Sequence, residues 1–248
     1  MDTPQSEHPL VLHQFRHSAF CAKVRLILAF KGLQVSLRDV TPGLGQLELF
    51  RLSGQRQVPV LVHGDRVIAD STAIALYLEE TWPEPALLPA DPLARARVLL
   101  LEDWADTALA GGGRLALLQA AAADPLLRTA LLPEATPDPL RRLVSALPGS
   151  LAIPLGDAVS ATFSSGDAHQ FLRTLEQLAL LVTDRPFLEG SMLTLADLAV
   201  AAQLSLLSFP AEAGAPLAGR GVPGIADNPL LEPLFNWRDQ ILAAVAPA

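Results

Sequence analysis

Ser18-Ala19-Phe20-Cys21 sets a hydroxyl and a thiol three residues apart, where an apolar run gives way to a helical one. Leu10-Val11-Leu12-His13-Gln14-Phe15 precedes it and Lys23-Val24-Arg25-Leu26-Ile27-Leu28 follows. The first turn of a helix offers free N–H groups and the positive end of a dipole, and both favour a thiolate over a thiol. The spacing is that of a Cys-x-x-Cys redox pair whose first cysteine is a serine. Cys21 is the one cysteine of the chain, so no disulfide closes within it. Either a ligand brings the sulfur to be activated, or Cys21 works alone. Lowering a thiol pKa by about two units takes roughly 2.7 kcal/mol. A hydroxyl donor backed by a helix terminus is a reasonable source of that energy. Two plainer readings stand beside these: Ser18 as an ordinary N-cap, and Cys21 as a small apolar residue packed under the helix.

Other groups with chemistry to offer are few. Arg16 and His17 flank the serine, and Arg16 carries a permanent charge suited to a carboxylate. Asp70-Ser71 opens a helix, where a hydroxyl and unpaired N–H groups make a site for an anion. Gln57-Val58-Pro59 stands at the start of a strand. Thr194 and Asp197 have capping-box spacing and read as structural. Trp104, on the first helix of the second half, is held open as a ligand contact. The five histidines are scattered, none pairing with another at metal-ligand spacing, so no metal is expected. Gly111-Gly112-Gly113 lacks the strand and lysine of a phosphate loop and reads as a helix end.

The elements that position these groups alternate over the first 80 residues. Strands are expected over 9–15, 34–40 (half-buried), 58–63 and 66–69, with a two-residue turn at 64–65. Helices are expected over 19–31, stopped by Gly32, over 45–52, and over 71–80 with Ser71 near the cap. The order is βαβαββα, an α/β domain over 1–81. Thr81-Trp82-Pro83-Glu84-Pro85 breaks the last helix, and 82–90 reads as a linker. From Asp91 strand signals vanish, and Asp91-Pro92 is a strong helix start. Helices are expected over 92–110, 114–123, 167–183, 195–209 and 230–245, an all-α domain over 91–248. Two stretches interrupt it: 132–165, carrying Pro133, Pro137, Pro139, Pro148 and Pro154, expected irregular or partly helical, and 210–228, rich in Ala, Gly and Pro.

Composition narrows the partners. The chain has 248 residues, half of them hydrophobic, and a formal net charge of −8, so a sizeable core is available and a nucleic-acid surface is not expected. Lys23 and Lys31 are the only lysines, and no basic run exists. The longest near-apolar run, 198–209, is too short for a bilayer, which needs about 20 residues. Residues 1–8 lack the apolar core of a signal peptide. The expectation is a cytoplasmic protein with no membrane partner.

With these motifs in order, the chain resembles the cytosolic glutathione S-transferases along nearly its whole length. The segment from Arg16 to Leu26 is similar to the omega and zeta-like subfamilies, where a catalytic Cys or Ser sits at the position of Ser18. Gln57-Val58-Pro59 resembles the family's segment with a cis-proline, and Asp70-Ser71 its acidic-Ser pair. Phe187-Leu188-Glu189-Gly190 and Thr194-Leu195-Ala196-Asp197 resemble its N-capping box and hydrophobic staple. The resemblance implies a thioredoxin-like N-terminal domain and an all-α C-terminal domain. It implies glutathione as co-substrate and no metal. Val58 would pair with the cysteinyl backbone of glutathione beside a cis Pro59, and Asp70 and Ser71 would hold its γ-glutamyl end. Gln57 and Arg16 would reach its carboxylates. Ser18 would activate its thiolate against a small hydrophobic electrophile, with His17 and Trp104 bordering the pocket. The family also implies detoxification chemistry and a homodimer. Two rivals remain: a glutathione-dependent thiol reductase or peroxidase using Cys21, and a transferase-fold binding module without turnover. The chain is longer than most members, the excess falling in 132–165 and 210–228, and its serine-with-cysteine motif leaves the class open.

Overall fold

The computed structural model describes residues 8–41, 44–133, 136–147 and 165–245. The chain divides into two compact units, one comprising the residues up to Leu88 together with Ala244 and Val245, the other Pro89–Ala243.

The first unit is built on a four-stranded mixed sheet in the order β2-β1-β3-β4. β1 (Leu10–Gln14) alternates buried and half-buried residues, because successive side chains point to opposite faces of the sheet, and it lies between two neighbours. β2 (Val35–Asp39) runs parallel to it, and β3 (Val60–His63) antiparallel. β4 (Arg66–Ala69) closes a hairpin with β3. β2 departs from the half-buried expectation: four of its five residues are exposed. As an edge strand it has a neighbour on one side only. α1 (Ala19–Phe30) sits between β1 and β2, and α2 (Leu44–Ser53) between β2 and β3. α3 (Ser71–Thr81) follows β4. Gly32, at φ 64°, ends α1 in the left-handed region where glycine carries no Cβ penalty.

Segment 82–88 is tied down within this unit. The Lys31 ammonium, its side chain fully buried, reaches the Glu79 carboxylate at 2.7 Å and donates to the carbonyls of Trp82 (2.6 Å) and Pro85 (3.0 Å). Glu79 in turn accepts from the N–H groups of Leu87 and Leu88. A buried charge is tolerated only when paired and fully hydrogen-bonded, and here both partners are.

The second unit is helical. α4 (Pro92–Trp104) starts as the sequence suggests, Asp91 accepting from Ala94 N–H with proline in the first turn. It passes through a π-helical turn (Ala105–Leu109) into α5 (Ala110–Ala123). The glycine run 111–113, expected as a helix end, lies inside α5. The reason is packing: a Cβ on Gly112 would stand 2.3 Å from the Phe171 ring. The glycine lets α5 approach the helix that carries that ring, α8 (Ser165–Val182). α6 (Pro125–Ala130), capped by Asp124, was not anticipated, and α7 (Asp138–Ala146) occupies part of the stretch expected to be irregular or partly helical; residues 148–164 lie outside the described residues.

α9 (Leu195–Leu207) is buried along nearly its whole length, an all-round apolar helix at the centre of the unit. Its start is fixed by the fully buried Asp197, whose carboxylate accepts from Thr194 N–H, Thr194 Oγ1 and Leu188 N–H, each at 2.7 Å. Burial pushes the Asp197 pKa up, and the hydrogen bonds pull against that push. Residues 210–228 form short turns around a bridge between Ser208 and Gly221, irregular as expected. α10 (Glu232–Val245) follows a short 3₁₀ turn at Pro229–Leu231, and Trp237 on it donates to the Pro186 carbonyl at 3.0 Å. Among the described residues, no helix is long and apolar enough to cross a membrane.

Candidate active site

The sheet register gathers three of the expected segments at one end. His13 of β1 pairs with Val60 of β3, and Val60 pairs with Ala69 of β4. The residues just after β1, just before β3 and just after β4 therefore leave the same end of the sheet. These are 15–18, 57–59 and 70–71. Gln14 pairs with Asp39, which brings the end of β2 to that edge as well.

Ser18 is the N-cap of α1, its backbone extended and its Oγ accepting from Cys21 N–H at 3.3 Å. The plain cap reading is thus correct as far as it goes. That bond uses an acceptor lone pair and leaves the hydroxyl proton to be donated elsewhere. The hydroxyl is near enough to the Cys21 sulfur to act on it, in the direction that lowers that thiol's pKa. Phe15 N–H also points at this sulfur, 3.5 Å away. Burial outweighs both and pushes the Cys21 thiol up, and the side chain is fully buried. Ser18 is half-buried, Arg16 exposed and His17 half-buried, its ring edge-on to Phe15.

Pro59 is buried and the Val58–Pro59 peptide is cis. Pairing of β3 with β1 begins at Val60, so the Val58 peptide groups stand outside that ladder. Gln57 is exposed. At the third segment the cap of α3 is Asp70 rather than Ser71: Asp70 Oδ1 accepts from Thr72 N–H and Ala73 N–H, both at 3.0 Å. Asp70 has φ 82°, alone in that region among the described non-glycine residues. Holding a residue there costs about 1–3 kcal/mol, and such strain concentrates at ligand sites. Ser71 is buried as the first helical residue.

Two basic residues escaped the sequence reading. Lys23 is buried and donates to Thr72 Oγ1 at 3.3 Å, linking α1 to the start of α3. Arg25 donates to Gln14 Oε1 at 2.5 Å and to the Arg16 carbonyl at 3.1 Å, and Gln14 donates to Asp39 at 3.0 Å. The signal was available in the spacing. Positions 18, 21 or 22, and 25 fall on one helix face, so a basic residue at 25 lies two turns below the serine. Trp104 closes α4 in the second unit and is half-buried. Among the described residues, no group of three or more His, Cys, Asp or Glu side chains is placed to hold a metal.

The first unit is a thioredoxin-like α/β domain followed in the chain by an all-α unit, which is the architecture of the glutathione transferases. Residues 12–86 match the family model of the glutathione S-transferase N-terminal domain. Glutathione S-transferase 1 of Dianthus caryophyllus is 46% identical over 88 residues, 34% of this chain and 40% of that protein. A stringent starvation protein A homolog of Pasteurella multocida is 34% identical over 100 residues, 38% of this chain and 47% of that one. The chain thus spans less than half the length of these curated relatives. Among solved structures, the β-etherase LigF of Sphingobium sp. strain SYK-6 shares the fold with a TM-score of 0.65. It covers 95% of this chain and 96% of its own, at 22% identity.

Proposed function

We propose that the protein is a glutathione-dependent transferase, activating the glutathione thiol at Ser18 for attack on a small hydrophobic electrophile. The observation that carries this reading is the convergence of segments 15–18, 57–59 and 70–71 at one end of the sheet. Each segment offers what a different part of glutathione requires. The Ser18 hydroxyl and the N-terminus of α1 face the sulfur. The Val58 backbone, outside the strand ladder, pairs with the cysteinyl residue as an added strand does. Ser71, at the positive end of α3, takes the γ-glutamyl carboxylate, and the exposed Asp70, whose Oδ1 caps α3, takes its ammonium. Gln57 and Arg16 serve the remaining carboxylate. The family match over 12–86 covers all three segments.

The sulfur at work is the ligand's. Cys21 is fully buried and its thiol is pushed up, which opposes the reductase or peroxidase reading in which it would be the nucleophile. We also place the protein in the cytoplasm as a homodimer, on the strength of the resemblance alone.

Ser18→Ala tests the assignment. Loss of about two pKa units of thiol activation lowers kcat/KM with a chromogenic aryl halide about a hundredfold near pH 6.5. The same substitution removes a cap worth about 1 kcal/mol, so Ser18→Gly, a tolerable cap without a hydroxyl, is measured beside it. Both variants are expected to lose activity, and Ser18→Thr to keep much of it. Full conjugation by Ser18→Ala, or activity lost only in Cys21→Ala, refutes the role. Calorimetry showing no glutathione binding would turn the reading toward a binding module.

A further inference from the structure

We infer that Arg25 is a positioning residue of this site, holding the loop that carries Ser18 and adding a permanent positive charge to the field in which the ligand's sulfur ionises. The inference rests on the transferase reading above. The guanidinium spends one arm on Gln14 Oε1, at the end of β1, and another on the Arg16 carbonyl, in the loop before Ser18. Gln14, itself buried, is anchored to Asp39 on β2. One planar fork therefore fixes the loop against the end of the sheet, a geometry that lysine, a point charge, does not reproduce.

The charge has a second consequence. Arg25 lies two helical turns below Ser18, on the face that carries Cys21. It is close enough to Cys21 to act on that sulfur, and burial lowers the pKa of the guanidinium without threatening its charge. A sulfur seated at the Ser18 hydroxyl, a group that also acts on the Cys21 sulfur, enters the same field. Asp39 opposes it, raising the Cys21 pKa where Arg25 lowers it. Arg16 is the other cation near the guanidinium. The local balance is thus one guanidinium from the helix face, one from the loop, and one carboxylate from the neighbouring strand.

The test follows the ultraviolet absorbance of the glutathione thiolate as the protein is titrated with glutathione from pH 5 to 9. S-methylglutathione, which cannot ionise at sulfur, serves as the binding control. Arg25→Met is expected to raise the apparent thiol pKa by about one unit, a tenfold loss of kcat/KM at pH 6.5, while S-methylglutathione binding changes less than threefold. Arg25→Lys is expected to fall between Met and wild type. Asp39→Asn, an exposed position at which the Gln14 bond can persist, shifts the pKa the opposite way, downward by about half a unit, and reads the same field should Arg25→Met fail to fold. An unchanged thiol pKa in Arg25→Met, or in Asp39→Asn where Arg25→Met is unfolded, overturns the role of Arg25 and leaves the transferase reading standing. Wild-type protein that binds neither glutathione nor its S-methyl form overturns both.

Discussion

Replacing Lys31 with methionine should open the segment 82–88 and destabilise the first unit by about 3–5 kcal/mol, the cost of removing one partner from a buried ion pair. The structure supports the upper half of that range. The Lys31 side chain is fully buried and Glu79 is 14% exposed, so water can do little to solvate what is left behind. All three ammonium protons are used, on the Glu79 carboxylate and on the carbonyls of Trp82 and Pro85. Methionine fills the volume, keeps none of these bonds and leaves the Glu79 carboxylate uncompensated. The double variant Lys31→Met/Glu79→Gln separates charge from packing. The amide carbonyl it places at position 79 still accepts from Leu87 or Leu88 N–H, and no charge is buried, so it should recover about 2 kcal/mol relative to Lys31→Met alone. Urea unfolding followed by circular dichroism gives the stabilities, and hydrogen exchange at Leu87 and Leu88 reports on the segment itself. Additive effects in the double-mutant cycle, or a loss below about 1 kcal/mol for Lys31→Met, would show that the pair is not what holds 82–88.

Adjacent glycines of α5 should respond in opposite directions. Gly111→Ala, where nothing lies within 4 Å of the new Cβ, gains up to about 1 kcal/mol of helix propensity; Gly112→Ala drives a Cβ into the Phe171 ring and loses about 1–3 kcal/mol. Thermal melts of the two variants suffice, and equal shifts would refute the packing account of the glycine run. Asp197→Asn takes a charge from three donors at 2.7 Å and turns an acceptor into a donor, for a loss of about 2 kcal/mol in urea; a neutral outcome would show that the box does not set the start of α9.

Much of this fold was readable because local chemistry and tertiary demand agree. Ser18, Asp91 and Thr194 sit where caps belong, Gly32 where a helix must stop, and Gly64-Asp65 where a hairpin must turn. The misreadings share one cause. Gly111-Gly112-Gly113 looks like a breaker because propensity is local, whereas the ring of Phe171, some 60 positions on, is what requires a bare helix face. The mostly exposed β2 is a matter of strand order, which its own residues do not encode. At the candidate site the motif residues were legible one by one. Their meeting at one end of the sheet follows from the β1–β3–β4 register, and Arg25 and Lys23 gain significance only from partners 9 and 49 positions away.

On the proposed transferase reading, the division of labour between Ser18 and Cys21 would follow from a count of protons. The serine oxygen accepts from the Cys21 N–H, so the hydroxyl has one proton to give, and in the proposed glutathione complex it would have two sulfurs to choose between. Cys21 is buried and its thiol is pushed up, so it stays neutral, and a neutral sulfur is a weak acceptor. A ligand sulfur at the mouth of the helix can ionise, and an ionised acceptor roughly doubles the strength of a hydrogen bond. On the proposed transferase reading, the hydroxyl would therefore leave Cys21 for the ligand when the ligand loses its proton, and not before. That difference between thiol and thiolate, rather than the bond itself, is what lowers a pKa. A cysteine at position 18 would bring its own nucleophile to the mouth of the helix. A serine there, with the cysteine buried one turn below, would leave the proposed transferase site dependent on the sulfur of its ligand.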